Sequence, residues 1–165
     1  MPATLENLKE AFADESQAFQ KYSAFAKKAE QDGFPVIARL SRLTAQAEKI
    51  HAEGHLKSMD GVGSTLDNLK AAIEGETHEY TQMYPPMSKQ ADRENHKARR
   101  MFGYALDAER IHAQLYAKAM EAVKAGKDLS VQKFFLCPVR GYIEFGEAPE
   151  KCPVCPTLGS RFVER

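Results

Sequence analysis

The sequence predicts a mainly α protein, a bundle of four amphipathic helices followed by a small C-terminal β domain built on cysteine knuckles. Three observations lead there. Apolar residues recur at alternating three-four spacing through most of the first 126 positions. The composition then changes at Gly126, where Gly, Pro and β-favouring residues replace Ala, Leu, Glu and Lys. All three cysteines fall in the tail stretch LCPVRGYIEFGEAPEKCPVCP.

The first segment carries Leu5, Leu8, Phe12, Phe19, Tyr22, Ala26 and Ala29 at bundle-helix spacing, and Gly33 and Pro35 end it. The second runs from about Pro35 to Ser58, with Ile37, Leu40, Thr44 and Ala47 on one face, until Gly61 and Gly63 break it. Ser64 or Thr65 caps the third, whose seam is Leu66, Leu69, Ile73, Tyr80, Met83 and Met87. Pro85 and Pro86 lie inside that seam and predict a kink or a break. The fourth spans about Arg93 to Ala125, with Met101, Ala105, Ala108, Leu115, Ala119 and Val123 turned inward. Residues 1–126 are therefore read as the bundle and 132–165 as the metal-binding tail domain.

Charge narrows the function classes. Lys and Arg total 23, as do Asp and Glu, so the formal net charge is zero. That balance weighs against nucleic acid or an anionic membrane as the main partner. No signal peptide and no run long enough to span a bilayer is read. Cysteines clustered in a C-P-x-x pattern suit metal binding in a reducing compartment, and a cytoplasmic location is expected.

Two seams are interrupted by acid. Glu15 stands between Phe12 and Phe19, and Glu76 between Ile73 and Tyr80, where the spacing calls for an apolar residue. A carboxylate in a bundle core is costly unless it is paired or binds metal. The other two segments hold Glu48-x-x-His51 and Glu109-x-x-His112, which place a carboxylate and an imidazole on one helix face. Each feature alone is compatible with a solvated Glu or an ordinary His. Together, one inward Glu from each of two helices and Glu-x-x-His from each of the other two match the known ligand pattern of ferritin-like di-iron proteins. Four carboxylates offset the charge of two Fe(II), and each imidazole adds a neutral nitrogen donor. Glu79, three residues after Glu76, is an extra carboxylate that spacing alone leaves without a role.

The chain resembles the rubrerythrin family over nearly its whole length. The stretches that carry the resemblance are AFADESQAFQKY, AEKIH, AAIEGETHEYTQMYP, AERIHAQLY and GYIEFGEAPEKCPVC. It implies a di-iron bundle joined to a rubredoxin-like domain, usually in a homodimer, that reduces hydrogen peroxide to water. It implies Glu15, Glu48, His51, Glu76, Glu79, Glu109 and His112 as di-iron ligands, with Glu48 and Glu109 bridging. His112 would stay on one iron while the other shifts between His51 and Glu79 with redox state, which makes Glu79 and His51 the candidate catalytic residues. Tyr22, seven residues after Glu15 on the same seam, is a candidate hydrogen bonder to the ligands or an ordinary core tyrosine. The implied donor is rubredoxin or an NAD(P)H-dependent reductase, and the implied activity an NAD(P)H-linked peroxidase in oxidative-stress defence.

The tail departs from the family pattern. Cys137, Cys152 and Cys155 are three of the four thiolates that two knuckles would supply. Arg140 stands at the fourth, and Pro156 replaces the glycine after the last cysteine. A guanidinium offers no lone pair to a metal. Three thiolates leave a position open, which zinc tolerates better than ferric iron does. Iron or zinc at this site, weak metal binding or partial disorder are all compatible with the tail, and a poor electron carrier is expected. The rival readings are a ferroxidase or iron-handling protein without efficient peroxide turnover, and a zinc-binding module.

Overall fold

The computed structural model describes residues 3–165. The order is α1 (Thr4–Gln31), α2 (Pro35–Ser58), α3 (Thr65–His78), a π-helical turn (Glu79–Met83), α4 (Tyr84–Arg93) and α5 (Ala98–Lys124). Three short strands follow: β1 (Phe134–Leu136), β2 (Ile143–Phe145) and β3 (Val163–Glu164). The chain divides into two compact units, residues 1–63 and 64–165. Among the described residues no helix is long and apolar enough to cross a membrane.

In the first unit α1 and α2 form an antiparallel pair. Gly33, at φ +83°, turns the chain between them. The Phe34 N–H reaches back to the Ala29 carbonyl at 2.8 Å and closes the end of α1. Pro35 then opens α2, where a missing N–H costs nothing. The buried residues are Ala26 of α1 and the heptad row Ala38, Ala45 and Ala52 of α2. Ile37 and Leu40, expected to face inward, are instead 54% and 65% exposed. Small residues let two helices approach closely, so the alanine row takes the contact. Taken by itself, this pair leaves Ile37, Leu40, Leu43 and Ile50 uncovered.

The second unit begins with Ser64, whose Oγ accepts the Asp67 N–H at 3.2 Å and caps α3. Proline cannot donate and its ring collides with the carbonyl four residues back. Here the α-helix is interrupted near Pro85 and Pro86, α3 ending at His78 and α4 beginning at Tyr84. The helix widens into the π turn just ahead of them, and the Tyr84 N–H bonds to the Glu79 carbonyl five residues earlier. The fourth segment also starts later than its spacing suggested. Arg93 closes α4, Asn95 adopts φ +48°, and α5 begins at Ala98. Helices α3 and α4 pack against α5.

The tail sheet is antiparallel in the order β2-β1-β3. Phe134 meets Phe145 edge to face across the β1–β2 pair, with centroids 5.0 Å apart. The core of the tail is Cys137, Tyr142, Cys152 and Cys155, with Val154 and Phe162 packed on it. Tyr104 and Ile111 of α5 pack on the same core, so the tail rests on the last helix.

Candidate metal centres

Three groups of metal-ligating side chains form among the described residues: Glu15, Glu48 and His51; Glu76, Glu109 and His112; and Cys137, Cys152 and Cys155. In each group one donor atom per residue lies within 4.8 Å of the others.

The first group sits on the α1–α2 pair. His51 Nδ1 is 3.0 Å from Glu48 Oε2, as the i, i+3 spacing predicts, and 3.7 Å from Glu15 Oε1. Glu15 and Glu48 are hydrogen-bonded to each other, and that bond, ahead of burial and the Glu48 charge, raises the Glu15 pKa. Two carboxylates hold such a bond only by sharing a proton.

The second group repeats the arrangement on α3 and α5. His112 Nδ1 is 2.8 Å from Glu109 Oε2 and 3.5 Å from Glu76 Oε2. Burial, then the hydrogen bond to Glu109, pushes Glu76 up to about 7. Nε2 of His112 lies 2.8 Å from the Gly141 carbonyl oxygen in the tail. A carbonyl only accepts, so Nε2 carries the proton and Nδ1 is the nitrogen turned to the carboxylates. A histidine ligand held this way by its second nitrogen is the usual arrangement at metal sites. Glu79 lies outside the cluster, half-buried at the start of the π turn. Burial, then the Glu109 charge, raises its pKa.

Both helical groups fit iron. Each offers two carboxylates and an imidazole, the donor set that suits Fe(II), and in each the crowding of acids raises the pKa of one carboxyl, Glu15 or Glu76. A cation in the same place would offset that crowding.

The tail fits a metal at three corners. Cys137 Sγ and Cys155 Sγ are 3.7 Å apart, and a tetrahedral ion with sulfur bonds of about 2.3 Å separates its sulfurs by about 3.8 Å. Burial pushes the Cys152 thiol up to about 11, against backbone N–H donation from Val154 and Cys155. Burial also acts on Cys155, but the Thr157 hydroxyl at 3.1 Å and the Thr157 N–H outweigh it and hold that thiol below its ordinary range. Thr157 thus supplies the donor that Pro156 lacks. Among the described residues no fourth ligand joins the three cysteines. Arg140, at the fourth position of the knuckles, contacts α5. Its guanidinium carbon lies 4.4 Å from the centre of the Tyr104 ring, and Nη1 lies 3.9 Å from Met101 Sδ. A four-thiolate iron therefore does not fit this tail, whereas three thiolates with an outside fourth ligand suit zinc.

Two outcomes follow from these geometries. Glu76 has a folded pKa above its ordinary 4.5, so the native metal-free protein binds the extra proton between the two values and loses stability as pH rises through that window. Urea unfolding of metal-free protein should show wild type losing ground to Glu76→Gln from about pH 5 to pH 7.5; parallel curves would contradict it. The iron-loaded protein should lack the red absorption of a ferric tetrathiolate, and Arg140→Cys should bring it out. That absorption at one iron per chain in the unaltered protein would require a fourth ligand from elsewhere.

Comparisons with known proteins point to one family. The rubrerythrin family profile matches residues 6–120. Rubrerythrin-2 of Clostridium acetobutylicum is 36% identical over 174 residues, covering 96% of this chain and 95% of that protein. Nigerythrin of Nitratidesulfovibrio vulgaris is 42% identical over 168 residues, covering 93% of this chain and 82% of that protein. The structure of fully reduced, all-ferrous nigerythrin superposes with a TM-score of 0.59 at 37% identity, covering 100% of this chain and 88% of that one. The fold class is thus the ferritin-like helical one with a small rubredoxin-like tail, and the family's cofactor is a di-iron centre. The chain belongs to the rubrerythrin family, as a di-iron protein of oxidative-stress defence.

Proposed function

We propose that this chain is a peroxidase that reduces hydrogen peroxide to two waters, taking up two electrons and two protons per turnover. The observation that carries the reading is the pair of matched Glu-Glu-His groups, in each of which the donor atoms lie within 4.8 Å of one another. In this reading residues 1–126 supply the di-iron ligands Glu15, Glu48, His51, Glu76, Glu109 and His112, and residues 132–165 the thiolate module. When bound, two ferrous ions supply the two electrons that break the O–O bond.

The protein's own groups set the conditions. Glu48 and Glu109 would be the carboxylates shared by the two ions, and Glu15 and Glu76 would complete the neutralising charge. His112 offers Nδ1 because Nε2–H is held by Gly141. His51, 55% exposed on its side chain, is the less constrained imidazole, and it would be the ligand that exchanges with redox state, its replacement being Glu79. Its position at the π turn supports that role, because such turns mark functional sites and the local ladder is already loosened.

The proposed assembly is a homodimer acting in the cytoplasm, with rubredoxin or an NAD(P)H-dependent reductase as electron donor. The uncovered Ile37, Leu40, Leu43 and Ile50 support an apolar interface. A second reading, iron oxidation without efficient peroxide turnover, is favoured by one observation: Arg140 at the fourth thiolate position takes the usual electron port away.

Stopped-flow oxidation of the reduced protein separates the two. Hydrogen peroxide should oxidise it faster than dioxygen, and Glu79→Ala should slow the peroxide reaction more than it lowers metal content. Dioxygen as the faster oxidant would overturn the peroxidase reading in favour of iron oxidation.

A further inference from the structure

We propose that Arg140 is a positioning residue for His112: by stacking on Tyr104 it clamps the first knuckle to α5 and holds the Gly141 carbonyl against His112 Nε2. The inference rests on His112 being a metal ligand, and on nothing about peroxide.

The first knuckle turns sharply. Gly141 adopts φ +79°, its N–H bonds to the Cys137 carbonyl at 3.1 Å, and the Cys137 N–H bonds to the Tyr142 carbonyl at 2.8 Å. The turn leaves the Gly141 carbonyl free to accept from His112 at 2.8 Å, across 29 residues of sequence. The core around Cys137 and Tyr142 already brings the knuckle to α5, and a contact beside Gly141 adds control over where its carbonyl points.

Arg140 immediately precedes Gly141 and supplies that contact. Its guanidinium carbon lies 4.4 Å from the Tyr104 centroid, within cation–π range. Its polar contacts are weak by comparison, with Nη1 3.5 Å from the neighbouring Val139 carbonyl and 3.9 Å from Met101 Sδ. Nε is buried with no partner. A planar cation that gives up hydrogen bonding to lie on an aromatic face is held by stacking. Tyr104 and His112 are eight residues apart on α5 and so lie on similar faces of the helix. The residue that fails as a ligand thus serves the neighbouring centre by fixing the ring of its histidine.

The test uses the full chain. In metal-free protein the His112 imidazole Nε2–H should give an observable proton resonance that exchanges slowly with water. Arg140→Ala should speed that exchange about tenfold, the loss of one net hydrogen bond, while the Phe134–Phe145 ring contact keeps its signature shifts. Arg140→Cys should match Arg140→Ala, and Arg140→Lys, which keeps charge but not the plane, should fall between. Tyr104→Phe should retain protection and Tyr104→Leu should lose it, which keeps the test valid if the Arg140 variants fail to fold. Chelator competition should show Fe(II) affinity at this group falling 10- to 100-fold in Arg140→Ala, as expected when a ligand's outer partner is lost. Unchanged His112 exchange in both Arg140→Ala and Tyr104→Leu would overturn the proposal. Those readouts are independent of how the loaded protein reacts with peroxide.

Discussion

Two carboxylates pressed against one histidine are the constraint on which this protein depends, and it is met twice. Glu15 with Glu48, and Glu76 with Glu109, are crowded enough that the pKa of Glu15 and of Glu76 is raised, which favours a shared proton. The helices are built to enforce this. Ala26, Ala38, Ala45 and Ala52 in the first unit, and Ala105, Ala108 and Ala113 in the second, are buried where larger side chains would push helices apart. Burial by alanine contributes little hydrophobic free energy per residue. The helical pairs are therefore poorly stabilised by their own packing, and a bound cation that replaces the shared protons adds to folding as well as to chemistry.

Helix α5 joins the two kinds of metal chemistry in the second unit. One nitrogen of His112 faces the carboxylates and the other is tied to the tail. Tyr104 and Ile111 of the same helix close the core formed by Cys137, Tyr142, Cys152 and Cys155. Because that core is largely cysteine, whatever the thiolates hold also governs how firmly the tail sits on the helix. Loss of the fourth thiolate and gain of an aromatic-stacked arginine thus change two properties together. The tail loses its fit to iron, and the knuckle gains an anchor.

Much of the helical site was legible in the sequence because its geometry is local. Glu48 with His51 and Glu109 with His112 are set by helix periodicity, and the structure places each pair in contact. Glu15 and Glu76 were visible as acids interrupting apolar seams. What periodicity missed follows from its weighting of size. It chose Ile37 and Leu40 as the inward row of α2, whereas close packing selected the smaller Ala38, Ala45 and Ala52. Pro85 and Pro86 read as a kink or a break because a missing donor leaves both outcomes open, and only the three-dimensional ladder shows that the interruption takes the form of a π turn. The bond from His112 to Gly141 joins residues of the helix and a distant knuckle, and no spacing rule connects them. Arg140 was recognisable as a lost ligand, but its contact with Tyr104 depends on how the tail docks.

The central claim is that the carboxylates and histidines of the helices hold the iron, the tail orienting His112 without supplying a ligand to these groups. The most direct test is the iron content of the reconstituted protein with Cys137, Cys152 and Cys155 all replaced by serine. Ligands drawn from the helices alone should retain about two irons per chain, whereas retention of fewer than about 1.5 would contradict the account.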